Sequence, residues 1–568
     1  MSLTTGNNSI DSLIYGSWNR TAGTPVTLTY SFLTRVPAGA SSEDANGFAA
    51  MSTVQQAAVR DALAQWASVA NITFIETAAN AGSLQFGTNA QTGSSGYAYL
   101  PEQGVSSLTM YLNNKGAYNS VYTAGSYGPT VLIHEIGHLL GLKHPGDYDS
   151  SGNVIDGPFL PAATDNGDYT QMSYNDPTAY SVTHKYATTV MLYDIQAIQY
   201  LYGANLSYHT GNDTYSYMGN ATSQCIWDAG GSDTIDFSAC LGATIINLNA
   251  GTFSETARGL NNISIAYNVT IENAIAGAGG STIYANAAGN TLTGGAGADT
   301  FYEGAGSDRI SGGGGLDTVV FSRSFGSYAV SHAGDVFTVS GDGTDTLSGI
   351  ERLVFSDRTL TTAALAQAYT GTAGNDLLAA GTVAIIDGAA GIDTVVFAGT
   401  LASANITRSG GVVDVTPAGG ATSTLLQVER LQFSDMSLAL DLDGISGQLY
   451  RLYEAVFARE PDVAGMGFWL AKEAGGMSLT SIASGFLQSP EFTAVYGTDP
   501  TNALFVTKLY ENVLHRAPDA AGFAFHVANM EHGLSREQVL LGFSESLEFT
   551  QNLAPTLPVG VQFVPWIA

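Results

Sequence analysis

The run His134-Glu135-Ile136-Gly137-His138 sets two imidazoles four positions apart. On a helix that spacing puts both on one face, about one turn apart, where they can share a single metal ion. Glu135 lies beside them, placed to act as a base on water at that metal without being a ligand. Gly141 ends the helix and lets the chain turn back to bring His144 in as a third ligand. Three protein ligands leave a coordination position open, which a catalytic zinc needs and a structural zinc lacks. Three of the nine histidines of the chain fall in this short stretch, so the pattern is far more specific than a lone histidine pair on a helix.

Elements able to position these groups surround them. Val26–Phe32 is rich in β-formers, and a helix is expected from Thr53, with Gln56 completing a capping box. That helix would carry Val54, Ala58, Ala62, Trp66 and Val69 on or near one face. Strands are expected at Ile72–Ile75, Leu84–Gly87 and Leu108–Leu112, followed by the histidine-bearing helix from about Thr130 to Leu140. Residues 1–205 thus read as one α+β domain.

From about residue 225 the texture changes to glycine, aspartate and short apolar strings. Aligned at a period of nine, segments begin at Ala276, Ala285, Gly294, Glu303 and Gly312. Their eighth positions are Ile283, Leu292, Phe301, Ile310 and Val319, and their sixth are Ser281, Asn290, Asp299, Asp308 and Asp317. A carboxylate and an apolar residue recurring at this period are the mark of a parallel β-roll, with two half-repeats to a coil and residues 18 apart in one column. Asp299 is then expected over Asp317, and Asp308 over Asn290. Like charges so stacked repel unless a cation separates them, and calcium, a ligand of carboxylate and carbonyl oxygen, suits such turns. The candidate calcium residues are Gly295, Gly297, Asp299, Gly304, Gly306, Asp308, Gly313, Gly315 and Asp317, with Asp376 and Asp393 in further turns downstream. The expected roll spans 206–325.

Residues 326–444 form duplicated β-rich modules. Asp317-Thr318-Val319-Val320-Phe321 recurs as Asp393-Thr394-Val395-Val396-Phe397, and Ile350-Glu351-Arg352-Leu353 as Val428-Glu429-Arg430-Leu431. Residues 445–568 are expected to be all-α and also duplicated. Leu452-Tyr453-Glu454 matches Leu509-Tyr510-Glu511, and Phe468 matches Phe525, each at an offset of 57. Their aromatic residues read as core.

Composition narrows the function classes. The chain has 568 residues, 45% of them hydrophobic, so several packed domains are expected rather than disorder. A net charge of −30 repels nucleic acid and anionic membranes, which argues against both as partners. Cys225 and Cys240 are too few for a disulfide framework, and they either pair once or stay free. The stretch Met1–Gly6 lacks a basic and an apolar region, so no cleaved N-terminal signal is expected.

The zinc motif, His-Glu-x-x-His-x-x-Gly-x-x-His, carries the signature of the metzincins. Continued by Lys143-His144-Pro145, it resembles the serralysin family of bacterial secreted metalloproteases. Gln171-Met172-Ser173-Tyr174 resembles that family's Met-turn, Asp194–Gly203 the close of its catalytic domain, and Trp227–Thr234 its entry into the roll. The resemblance implies a zincin-like catalytic domain, one catalytic zinc ion and several structural calcium ions. Met172 would then floor the metal site. Tyr174 would be a switching tyrosine ligand to zinc that also stabilises the oxyanion. It implies protein or peptide substrates, with Glu135 as general base and the strand around Tyr97–Leu100 pairing with extended substrate. It also implies export through a type I secretion apparatus to an extracellular or cell-surface location, with the apolar tail Val561–Ala568 as part of the signal. The helical tandem resembles an uncharacterised repeat family of bacterial secreted and surface proteins, implying that the C-terminal half binds a cell-surface component. A surface-layer or matrix-binding protein carrying a locally acting or inactive protease domain is the alternative expectation.

Overall fold

The computed structural model describes residues 5–148, 157–556 and 559–566. The extreme ends that enter the expectations about export, Met1–Thr4 and Ile567–Ala568, lie outside the described residues. The chain divides into two units: Met1–Ser322 with Ala329–Phe355, and Arg323–Tyr328 with Ser356–Ala568.

The first unit opens with β1 (Val26–Phe32), α1 (Thr53–Val69), β2 (Ile72–Glu76), β3 (Leu84–Asn89), β4 (Gly96–Ala98), β5 (Leu108–Asn113), α2 (Tyr127–Leu140) and α3 (Leu192–Tyr202). The sheet runs β2-β1-β3-β5-β4. All pairings are parallel except the last, where the short edge strand β4 lies antiparallel to β5.

Helix α1 corrects the expected cap by one residue. Ser52 accepts the Gln55 N–H, and the Gln55 side chain accepts the Ser52 N–H, so Gln55 rather than Gln56 closes the box. Val54 therefore sits in the first turn, 57% exposed, and Val59 and Leu63 join Ala58, Ala62, Trp66 and Val69 in the core. Helix α2 starts at Tyr127, one turn before the expected Thr130. Pro129 falls in that first turn, where its missing N–H has no helical acceptor to lose. The indole of Trp66 donates to the Ile133 carbonyl at 3.2 Å and ties α1 to α2.

The period of nine appears directly in the structure. Three-residue strands at Thr282–Tyr284, Thr291–Thr293, Thr300–Tyr302, Arg309–Ser311 and Thr318–Val320 alternate between two sheets. They pair in parallel with the strand 18 residues away. Ile283, Leu292, Phe301, Ile310 and Val319 are buried between the sheets. The coils continue past residue 325: Thr344–Ser348 pairs with Arg309–Ser311, and Arg352–Val354 with Thr318–Val320. A hairpin, Ala329–Ala333 and Val336–Ser340, comes before Thr344–Ser348 in the chain and pairs antiparallel with it, extending that sheet.

In the second unit the duplicated segments form sheets of their own. Leu377–Ala379, Thr394–Val396 and Arg430–Gln432 pair in parallel, and Ser437–Ala439 and Val561–Phe563 extend that sheet antiparallel. The tail segment is thus a strand of a folded sheet, with Val561 and Phe563 buried.

Eight helices follow in two sets: Ile445–Phe457, Val463–Ala474, Leu479–Leu487 and Pro490–Tyr496, then Asn502–Val513, Ala520–Glu531, Arg536–Ser544 and Leu547–Leu553. Equivalent helices start 57 residues apart, and each set is pinned by an arginine–glutamate pair, Arg459–Glu491 and Arg516–Glu548. One expectation about the core fails here. Phe525 is 63% exposed, whereas its counterpart Phe468 is half-buried against Trp469 and Trp566. Cys225 and Cys240 are both buried and unpaired. Among the described residues no helix is long and apolar enough to cross a membrane.

Candidate active site and metal centre

Helix α2 presents His134 and His138 on one face and ends at Gly141, whose φ of 107° is open to glycine but strained for other residues. This turn carries the chain to His144. The three Nε2 atoms stand 3.1 Å from one another. A tetrahedral zinc with nitrogen at about 2.0–2.1 Å spaces its ligands by roughly 3.3 Å, so the donor set fits that ion. The far nitrogens are committed elsewhere: His134 Nδ1 lies 2.8 Å from the Gln171 carbonyl, and His138 Nδ1 lies 2.8 Å from that of Leu142. With Nδ1–H donating to a carbonyl, each ring directs an Nε2 lone pair at the shared point. Burial pushes His134 down to about 4, against the pull of its Gln171 hydrogen bond. Burial also takes His138 well below the ordinary range. Both rings are therefore neutral and able to ligate.

Glu135 is 6% exposed, and its Oε2 has no hydrogen-bond partner. Burial raises its carboxyl to about 8, which makes its ionised form a stronger base than an exposed carboxylate. Gly96 on the edge strand leaves it room, since a Cβ there would stand 3.2 Å from Glu135 Cγ. Edge strand, histidines and Glu135 line one cleft of about 950 Å³, together with Thr130, Tyr174 and Tyr186.

Met172 is fully buried beneath α2, and a Cβ on Gly137 would come within 2.5 Å of its sulfur. The turn that carries it is fixed by Asp194 of α3, for which the sequence pattern alone indicates no role. Its buried carboxylate accepts the Thr170 hydroxyl at 2.5 Å, the Gln171 N–H at 2.7 Å and the Met191 N–H at 3.0 Å. The Gln171 carbonyl then holds His134, so Asp194 orients a histidine two links away. Replacing Asp194 by Asn removes one acceptor and aims an amide at buried donors. The expected result is a loss of about 2–4 kcal/mol in stability. Zinc affinity should also fall by about 10- to 100-fold. Thermal melts and chelator competition for zinc read both.

Tyr174 sits on the rim, 54% exposed, with its ring 4.4 Å from that of His144 and 4.8 Å from that of Tyr148. Its backbone N–H donates to the Tyr148 hydroxyl, which itself donates to Asp165 at 2.8 Å. Tyr148 and Asp165 are thus additional supports of the rim.

The roll aspartates stack one coil over the next as expected, Asp299 over Asp317, and a backbone N–H is interposed at each step. Asp299, Asp308 and Asp317 are buried, and each carboxylate accepts the backbone N–H of the residue one coil earlier. Asp299 takes that of Ser281 at 2.6 Å, Asp308 that of Asn290 at 2.6 Å, and Asp317 that of Asp299 at 2.8 Å. Where the carboxylate is missing, neutral bonds join the coils. Ser281 bonds the Thr244 hydroxyl, and the Asn290 amide donates to the Glu272 carbonyl and to Asn286. The six candidate glycines, Gly295, Gly297, Gly304, Gly306, Gly313 and Gly315, pack on the adjacent coil so closely that any Cβ would stand within 2.5 Å of its backbone. Burial pushes Asp317 up to about 6 and Asp345 up to about 7. Asp376 and Asp393 repeat the pattern in the second unit, the Asp376 N–H donating to Asp393 at 2.8 Å. One further set of metal-binding groups is gathered among the described residues, His209, Asp213 and Asp228 at the start of the roll.

A metal-binding α+β domain with three histidines over a buried methionine defines the metzincin class. Residues 27–151 match the family model described as matrixin, and residues 193–333 match peptidase M10 serralysin C terminal. Residues 449–493 and 483–553 match a domain of unknown function, DUF4214. The metallopeptidase AprA of Pseudomonas marginalis is 37% identical over 291 residues, 47% of this chain and 61% of that protein. The serralysin of Proteus mirabilis is 37% identical over 270 residues, 42% of this chain and 55% of its own. Serralysin C of Dickeya chrysanthemi is 39% identical over 295 residues, 46% of this chain and 60% of its own. Across residues 27–333 the chain is similar to serralysin-type metzincins, and it spans about three-fifths of the length of the curated relatives it matches.

Proposed function

We propose that this chain is an exported zinc endopeptidase. The observation that carries the reading is the cluster of three histidines, their Nε2 atoms 3.1 Å apart, beside the unpartnered Oε2 of Glu135. A zinc ion held by His134, His138 and His144 would supply Lewis acidity toward water and the scissile carbonyl. An extended peptide adds to the free edge of β4, which aligns the scissile bond along the cleft. Glu135 Oε2 takes a proton from the attacking water and later gives it to the leaving amine. Tyr174 would serve as a switching ligand to that zinc, with its hydroxyl available to donate to the developing oxyanion. Met172 and Asp194 keep the histidines in register. Calcium ions held by the roll carboxylates would tie its coils together, and the acidic surface would keep the chain open until calcium is met outside the cell. The C-terminal half binds a cell-surface component after passage through a type I secretion apparatus.

The test is a diverse peptide library incubated with the purified chain, with and without a zinc chelator. Internal cleavage is expected to stop with the chelator and return with added zinc. Cleavage that survives chelation, or none from zinc-loaded protein, would sink the proposal.

A further inference from the structure

One end of the active-site cleft is walled by tyrosine. Tyr127 opens helix α2, Tyr186 comes from the segment between the Met-turn and α3, and both line the cleft with Thr130 and Asp176. The Tyr127 and Tyr186 rings stand 5.1 Å apart, and Tyr180 lies 4.6 Å from Tyr186. The wall is anchored on both sides. Tyr127 Oη lies 3.1 Å from Ser95 Oγ, just before β4, and the Tyr186 N–H donates to the Gly125 carbonyl at 3.0 Å. Both tyrosines are only half-buried, so ring surface is left for a ligand.

Asp176 is the charge at this wall. The residue is exposed, but the backbone on either side is held. The Asn175 carbonyl accepts the Gly167 N–H at 3.0 Å, and Thr178 donates both its N–H and its hydroxyl to Asp168. Burial, a hydrogen bond with Tyr180 and the charge of Asp176, in that order, push the Tyr186 phenol up, so the carboxylate acts on the ring. No lysine or arginine of the described residues answers Asp176 at this end. Lys143 alone of those residue types lines the cleft, and its Nζ donates to the Pro158 carbonyl at 3.2 Å, over the Phe159 ring. Lys185, next to Tyr186, reaches the Asn220 carbonyl at 2.9 Å. Thr130 Oγ1, one helical turn before His134, is buried with no hydrogen-bond partner.

Aromatic rings beside an unpaired carboxylate suit a guanidinium, which is planar, weakly hydrated and able to stack and pair at once. Its several donors also suit the Thr130 hydroxyl, which an aliphatic side chain would leave unmet. The chain makes the same pairing inside its own fold: Arg459 lies over Tyr453 and bonds Glu491, and Arg516 lies over Tyr510 and bonds Glu548. We propose that this wall is a substrate subsite that selects arginine, as the residue just after the scissile bond. The proposal rests on the endopeptidase reading above and names its substrate class. The position follows from the edge strand. Glu135 stands level with Gly96, the first residue of β4. A peptide added antiparallel to β4, the more stable pairing per residue, carries its C-terminal side past that end toward Ser95 and Tyr127.

The zinc-loaded full chain, given a peptide library randomised at every position, tests the subsite, with the products sequenced by mass spectrometry. Arginine is expected just after the cut more often than any other residue, with lysine next. In matched peptides differing only there, kcat/KM with arginine should exceed that with leucine by about tenfold, mostly through KM, and the ratio should shrink as salt is raised. Asp176→Asn should lower that ratio by about threefold. Tyr186→Leu should lower it as well, whereas Tyr186→Phe, which keeps the ring, should preserve it. Leucine, phenylalanine or glutamate found after the cut as often as arginine overturns the subsite and leaves the endopeptidase standing. No cleavage from zinc-loaded protein overturns both. A ratio unmoved in both Asp176→Asn and Tyr186→Leu removes these residues as the selectors. The wild-type library decides the preference by itself, so its outcome holds even where a variant fails to fold.

Discussion

Replacing Glu135 by glutamine is expected to lower kcat/KM on any cleaved peptide by about 10³-fold while one zinc per chain is retained. The side chain keeps its length and the helix its packing, so the histidines stay where Gln171 and Leu142 hold them. What is lost is the basic oxygen. Glu135 Oε2 is buried and unpartnered, and burial holds the carboxyl up to about 8 before any cation is near. An amide in that place cannot take a proton from water or return one to the amine. Glu135→Asp separates base chemistry from reach: it keeps the carboxylate but withdraws it by one methylene, and activity should fall between the two. Zinc content by atomic absorption and peptide cleavage by mass spectrometry report the two properties independently. A glutamine variant within about tenfold of the parent would show that another group moves the proton. A variant that loses zinc as well would instead make Glu135 part of the metal-holding structure.

The features legible in the sequence are those with a fixed local period. The histidine spacing, the nine-residue repeat and the 57-residue offset each tie a residue to its neighbour through helix or strand geometry, and each appears in the coordinates at the expected positions. The cap of α1 is ambiguous by one residue in the sequence because Ser52-x-x-Gln55 and Thr53-x-x-Gln56 satisfy the same local rule. Only the packing of Val59 and Leu63 chooses between them. The support behind His134 is hidden for a different reason. Asp194, Gln171 and His134 stand 23 and 37 residues apart along the chain, and nothing in their spacing brings them together. The roles of Ser281 and Asn290 are also opaque. As sequence they are lapses from a carboxylate pattern, whereas in the fold they supply neutral bonds between coils. Phe525 matches Phe468 in the repeat but has no Trp566 to cover it, since the tail exists once and the repeat twice.

In chelator, the melting temperature of the chain is expected to fall as the solution is raised from about pH 5 to about pH 8, and calcium should remove most of that fall. Burial holds Asp233 and Asp317 up to about 6 and Asp345 up to about 7. A carboxyl whose folded pKa exceeds its unfolded value stabilises the fold fully at low pH. That contribution is lost as the pH rises through the folded pKa, which sets the window between about 4 and 7. Above it the coils hold buried charges in a chain already at −30, with mutual repulsion of the same sign. Calcium binds the ionised form, so its stabilisation must grow over the same window. The difference between melts in calcium and in chelator should be small near pH 5 and reach about 5 °C or more near pH 8. Asp194, pushed up to about 6 by burial, adds a slope of the same direction. It lies at the Met-turn rather than in the roll, so its share is equal with and without calcium and cancels in the difference. A calcium increment equal at both ends of the range would mean that these carboxylates are not the ones calcium meets.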